Sequence, residues 1–136
     1  MSMLEWNDSL SVKVPDIDEQ HKSLVNMVNT LYDAMKDKAD GTILLGIVND
    51  MRQYTEVHFS TEERYMERYA DPEFVRHKAE HVDFIAKVNQ VESDCKSGKC
   101  SLSMDILNFL SSWLVTHING TDKKMGAFLV KQGLVA

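Results

Sequence analysis

Five histidines and two carboxylates fall into helical spacings that leave few ways to fold this chain. The histidines are His21, His58, His77, His81 and His117, the only ones in 136 residues; the acids are Glu62 and Asp122. His58 and Glu62 are separated by four positions, as are His77 and His81, so each pair sits about 6 Å apart on one helix face. All five histidines lie on the apolar faces of their helices. A buried imidazole needs a polar partner, and Glu62 beside His58 would be a buried anion at considerable cost. A shared metal cluster supplies a partner for every group at once. The chain must therefore bring several helices together around one polar centre.

The rest of the sequence provides those helices. Met1 to Pro15 carries Trp6, Val12 and Val14 without a sustained period and reads as an irregular arm. Asp16 and Glu19 have the spacing of a capping box, and His21, Leu24, Val25, Val28, Leu31, Tyr32 and Met35 then repeat at helical spacing. Asp37 to Gly41 breaks that pattern. A second helix runs from near Thr42 to about Tyr69, with Leu44, Ile47, Val48, Met51, Tyr54, Thr55, His58, Glu62 and Met66 inward. Asp71-Pro72 marks the next start, with Asp71 as cap and Pro72 in the first turn. The third helix carries Phe74, His77, His81, Phe84, Val88 and Val91 to about Lys96, where Gly98 is a stop. A fourth starts near Ser101 and carries Ile106, Phe109, Leu110, Trp113, Leu114, His117 and Ile118. No segment alternates like a strand, and the connections are short. Consecutive helices are then antiparallel neighbours, which predicts an all-α, up-down-up-down four-helix bundle over about 16–131 within a single domain, 1–136.

Composition narrows the function classes. A net charge of −6 argues against nucleic acid or an anionic membrane as partner, and no apolar run is long enough to cross a bilayer. The N-terminus lacks the basic stretch and apolar block of a secretory signal, so the expected location is cytoplasmic. Cys95 and Cys100 flank a turn and read as ordinary thiols without an assigned role; a reversible disulfide closing the loop is the alternative, which spacing alone cannot establish. Glu63 reads as a solvated neighbour of Glu62. Lys123-Lys124 reads as complementing the last helix dipole or the acidic surface, and methionines such as Met27, Met51 and Met66 as flexible core filler.

Seven nitrogen and oxygen ligands without cysteine suit two iron ions better than one zinc, which would use four and leave three idle. One spacing is awkward. His117 and Asp122 are five residues apart, about 140° around a regular helix. For both to reach one cluster the helix must widen into a π-turn or break locally, and Gly120 lies between them, where distortion costs least.

These residues make the chain resemble the hemerythrins, specifically the bacterial hemerythrin-like domains. The motifs are Asp18-Glu19-Gln20-His21, His58-Phe59-x-x-Glu62-Glu63, His77-x-x-x-His81 and Trp113-x-x-x-His117-Ile118-x-x-x-Asp122, in order, on four helices. The resemblance implies one iron held by His77, His81 and His117. It implies a second held by His21 and His58 with an open position, where dioxygen binds. Glu62 and Asp122 would bridge the two ions (Fe²⁺/Fe³⁺) together with an oxo or hydroxo group. It also implies an oxygen pocket of Leu24, Phe59, Trp113, Leu114 and Ile118, residues that equally serve as core.

Reversible dioxygen binding is the function this implies, either as carrier and store or as the oxygen-sensing domain of a signalling protein such as a chemoreceptor. A di-iron redox sensor or a peroxidase-like enzyme is the alternative. The absence of a dedicated proton donor near the ligands places the chain outside the enzymes.

Overall fold

The computed structural model describes residues 3–98 and 103–133. Its helices are α1 (Pro15–Lys36), α2 (Gly41–Arg68), α3 (Phe74–Lys96), α4 (Met104–Thr116) and α5 (Lys123–Lys131). A six-residue π-turn, His117–Asp122, joins α4 to α5 without a break, so the pair acts as the fourth rod of an up-down-up-down bundle. The helix α1 packs on α2, α2 on α3, and α4 returns against α1.

The helix starts follow local chemistry. Asp40 caps α2 by accepting from the Ile43 amide at 3.0 Å, and Ser103 caps α4 by accepting from Ile106. Two starts differ from the sequence expectation. In α1 no side chain caps: Val14 is the cap residue and Pro15 occupies the first turn, where its missing N–H costs nothing. The Asp16 carboxylate, read as the cap, instead accepts from the Tyr65 hydroxyl, and that of Asp18 accepts from the Val12 amide at 2.8 Å and the Ser11 hydroxyl at 2.6 Å. In α3 the helix begins at Phe74, because Asp71 to Glu73 form a turn closed by the Asp71 side chain on the Glu73 amide. The Ser101 start falls outside the described residues.

The arm lies along the bundle. Asn29 receives the Leu4 amide at 2.9 Å and donates to the Leu4 carbonyl at 2.8 Å, and Lys22 stands over the Trp6 ring. Farther along, the carbonyl of Val12 presses on Gly126 so closely that a Cβ there would meet it at 2.1 Å. Lys13 takes a left-handed φ of 65° to make that approach.

Apolar packing divides into two clusters. The larger joins Leu24, Val28 and Leu31 of α1 to Val48, Met51 and Phe59 of α2, Phe84, Val88 and Val91 of α3, and Leu107, Leu110 and Leu114 of α4. The smaller joins Val12, Val14 and Ile17 to Met66, Met125 and Leu129. On each rod the histidines and acids fall between residues of the first cluster and residues of the second. Away from this layer, Glu92 is held by Asn49 at 2.6 Å and Arg52 at 2.8 Å, which pins α3 to α2.

Helix α3 ends as read, at Gly98 with a φ of 87°. Cys95 is disulfide-bonded, which corrects its reading as an ordinary thiol. Spacing alone could not establish that bond, and Cys100 lies outside the described residues.

Candidate metal centre

The structure brings all seven sequence-derived ligand residues into one fully buried layer. Their nitrogen and oxygen atoms form two groups that share both acids: Glu62, His77, His81, His117 and Asp122 in one, and His21, His58, Glu62 and Asp122 in the other. The sharing is atom by atom. Oε1 of Glu62 faces Nε2 of His77 at 3.2 Å and of His81 at 3.0 Å, whereas Oε2 faces Nε2 of His21 at 3.2 Å and of His58 at 3.0 Å. Asp122 divides likewise. Its Oδ1 lies 3.0 Å from His77 Nε2 and 3.1 Å from His117 Nε2, and its Oδ2 lies 3.0 Å from His21 Nε2.

These separations test whether metal ions fit. Donors at right angles around an ion with bonds of about 2.1 Å stand roughly 3.0 Å apart, close to the spacing seen. Both Asp122 oxygens are buried and accept no hydrogen bond, although three imidazole nitrogens stand near them. Lone pairs turned toward a common point and away from any N–H are what a cation satisfies. The donor set passes this test.

The electrostatics agree. Burial alone would raise the Glu62 carboxyl, but the charge of His58 and the close ring nitrogens of His21 and His58 hold it well below the usual carboxylate range. Burial and the Glu62 charge push Asp122 up, and the charge of the nearby His117 overcomes both. Burial pushes His21, His77 and His117 down, while Asp122 and Glu62 lift them to about 9, about 9 and about 10. Without metal the imidazoles therefore retain protons that neutralise the acids, and metal would displace those protons.

The π-turn forms where the awkward spacing required it and turns Asp122 inward. Gly120 is not its cause: its φ lies outside the left-handed region and nothing stands within 4 Å of where its Cβ would be. Two of these imidazoles are clamped by aromatic faces. Phe59 stacks on His81 at 3.7 Å and 4°, and Trp113 on His117 at 4.5 Å and 12°. Of the other residues named for an oxygen pocket, Leu24, Leu114 and Ile118 are buried in the larger cluster.

Three polar partners escaped the sequence reading. Gln20 Oε1 accepts from His58 Nδ1 at 2.6 Å. Glu63 Oε2 accepts from His81 Nδ1 at 2.8 Å, which corrects its reading as a solvated bystander. Glu80 Oε1 accepts from His117 Nδ1 at 2.9 Å and from the Thr121 hydroxyl at 2.8 Å; burial would raise its carboxyl, but these two bonds lower it. The signal for Glu63 and Glu80 was adjacency to a ligand residue, which is weak because a neighbour in a helix points about 100° away.

Comparison with known proteins converges on one family. The model of the hemerythrin HHE cation binding domain matches residues 12–129. The bacteriohemerythrin of Stenotrophomonas maltophilia is 33% identical over 90% of this chain and 79% of its own length. That of Clostridium acetobutylicum is 31% identical over 90% of this chain and 98% of its own. A crystal structure of wild-type hemerythrin superposes with a TM-score of 0.88 at 27% identity, covering 94% of this chain and 98% of that one.

Proposed function

The chain belongs to the hemerythrin family, and from that membership and the geometry of the buried layer we propose that it binds dioxygen reversibly at a pair of non-haem iron ions. The observation that carries this reading is the division of each carboxylate between the two histidine groups. Single-ion sites do not need it. Five donor residues surround one position and four the other, so with a solvent-derived oxo or hydroxo bridge the His21/His58 side keeps the open place.

When bound, the two iron ions supply the electrons that hold dioxygen. The residues of the chain do the rest. His77, His81 and His117 would hold one ion and His21 and His58 the other, with Glu62 and Asp122 spanning both. Five neutral imidazoles against two acids leave the centre less electron-rich than carboxylate-dominated sites, which favours holding oxygen over activating it. Leu24, Leu114 and Ile118 offer an apolar wall, assigned here to keep water and protons from the bound gas. Phe59 and Trp113 contribute by fixing ligand rings. No helix among the described residues is long and apolar enough to cross a membrane.

The test is the visible spectrum of the anaerobically reduced protein before oxygen, after oxygen and after purging. A colourless form that gains charge-transfer bands and loses them on purging supports reversible binding. Direct passage to an oxidised form that purging leaves unchanged overturns it in favour of a redox sensor or a peroxidase-like role. Ile118→Glu places a carboxylate beside the open position and abolishes or alters the oxygen-dependent bands; an unchanged spectrum removes Ile118 from the pocket.

A further inference from the structure

The two histidine groups are not equally supported. In the three-histidine group, carboxylates stand behind two rings: Glu63 behind His81 and Glu80 behind His117. A carboxylate on the far nitrogen of an imidazole fixes the tautomer and raises the basicity of the metal-facing nitrogen. The same two rings are stacked on Phe59 and Trp113. In the other group His58 has only the neutral amide of Gln20, and His21 Nδ1 is buried without a partner. These two rings meet edge to face at 4.7 Å.

Glu80 has a second task. The atom that receives His117 also receives Thr121, so one oxygen ties the first residue of the π-turn to the fifth. Asp122 follows directly. Glu80 thus positions His117, which only the three-histidine position uses, beside a carboxylate that both positions share.

Resting on the two-ion reading above, we propose that Glu63 and Glu80 act as positioning residues that make the three-histidine position the stronger one. Metal then leaves the His21/His58 position first and the His77/His81/His117 position last. Each ion leaves as Fe²⁺ to a competing ligand, with no change of oxidation state.

The experiment uses the iron-loaded, anaerobically reduced protein and an excess of a ferrous chelator, with release followed by absorbance. Wild-type protein is expected to lose its iron in two phases of one ion per chain. Paramagnetic proton spectra after the fast phase should retain exchangeable imidazole signals from three histidines. Glu63→Gln and Glu80→Gln keep an accepting oxygen and remove the charge. Each should speed the slow phase about 10- to 100-fold; Glu63→Gln should leave the fast phase within about twofold, and Glu80→Gln should change it far less than the slow phase, because Asp122 serves both positions. Gln20→Leu should speed the fast phase alone.

A single phase in wild-type protein overturns the proposal, as does retention of the two-histidine iron or equal acceleration of both phases by the Glu variants. The wild-type order of loss requires no variant to fold. A chain that carries fewer than two irons when fully loaded overturns the two-ion reading instead, and this proposal falls with it.

Discussion

The large apolar cluster and the polar layer beside it are equally buried but stable for different reasons. Leu31, Val48, Leu107 and their neighbours are held by area removed from water, a term indifferent to pH and to any bound ion. The layer of His21, His58, Glu62, His77, His81, His117 and Asp122 is equally inaccessible, yet its groups oppose burial unless charge is balanced among them. One region is stable by itself. The other is conditional on what occupies it, either protons or metal. Substitutions of similar size should therefore fail differently in the two places.

The sharpest contrast is Glu62→Ala against Leu31→Ala. Loss of Glu62 removes a donor from both positions and leaves imidazoles facing Asp122 alone. We expect both irons to be lost and stability to fall by about 3–5 kcal/mol, read by iron per chain and chemical unfolding. Leu31 lies ten residues, about 15 Å, along α1 from His21. Its truncation should cost about 2–5 kcal/mol and leave two irons in place. Iron loss in Leu31→Ala would erase the distinction between the regions.

The pH dependence of the metal-free chain sharpens it further. His21, His77 and His117 have folded pKa values of about 9, 9 and 10, above the unfolded value near 6.5. Their contribution is complete below about pH 6.5 and is lost as pH rises through 9 to 10. Glu62 and Asp122 are lowered, so theirs is present above about pH 4 and is lost as pH falls through their folded values. The melting temperature of the metal-free protein should peak between about pH 5 and 6.5 and decline toward pH 10. Leu31→Ala should show the same profile, displaced downward. A flat melting temperature from pH 6.5 to 10 would show that the layer is not balanced by protons.

The smallest effects come from two glycines on the fourth rod. Gly120→Ala places a methyl in open space and should stabilise by up to about 1 kcal/mol through helix propensity. Gly126→Ala drives a methyl into the Val12 carbonyl, so the same change should destabilise and release the arm. Thermal melts and proteolysis near Val12 distinguish them. Stabilisation by both would mean that the arm is not seated against Gly126.

Much of this was legible before any coordinates. Helical spacing placed His58 with Glu62 and His77 with His81, and the five-residue interval from His117 to Asp122 announced the π-turn. Gly120 was a misleading reason for that turn, because a widened turn keeps ordinary backbone angles; the contacts that bracket it are those of Glu80 with His117 and Thr121. Gln20, Glu63 and Glu80 were not legible as partners because each reaches a histidine on another rod, separated by 38, 18 and 37 positions. Periodicity reports which face a residue occupies but not what stands opposite. The Asp16 cap failed for a related reason: Pro15 met the local need, and the Asp16 carboxylate receives the Tyr65 hydroxyl from another rod.

The division of Glu62 and Asp122 between the two groups has a genetic consequence. The seven side chains provide nine donor positions, five in one group and four in the other. A lesion at any histidine removes one of the nine and leaves the opposite group complete. A lesion at either acid removes two and touches both groups. Random substitutions should therefore sort into two phenotypes, with half-loaded protein from the histidines and empty protein from the acids.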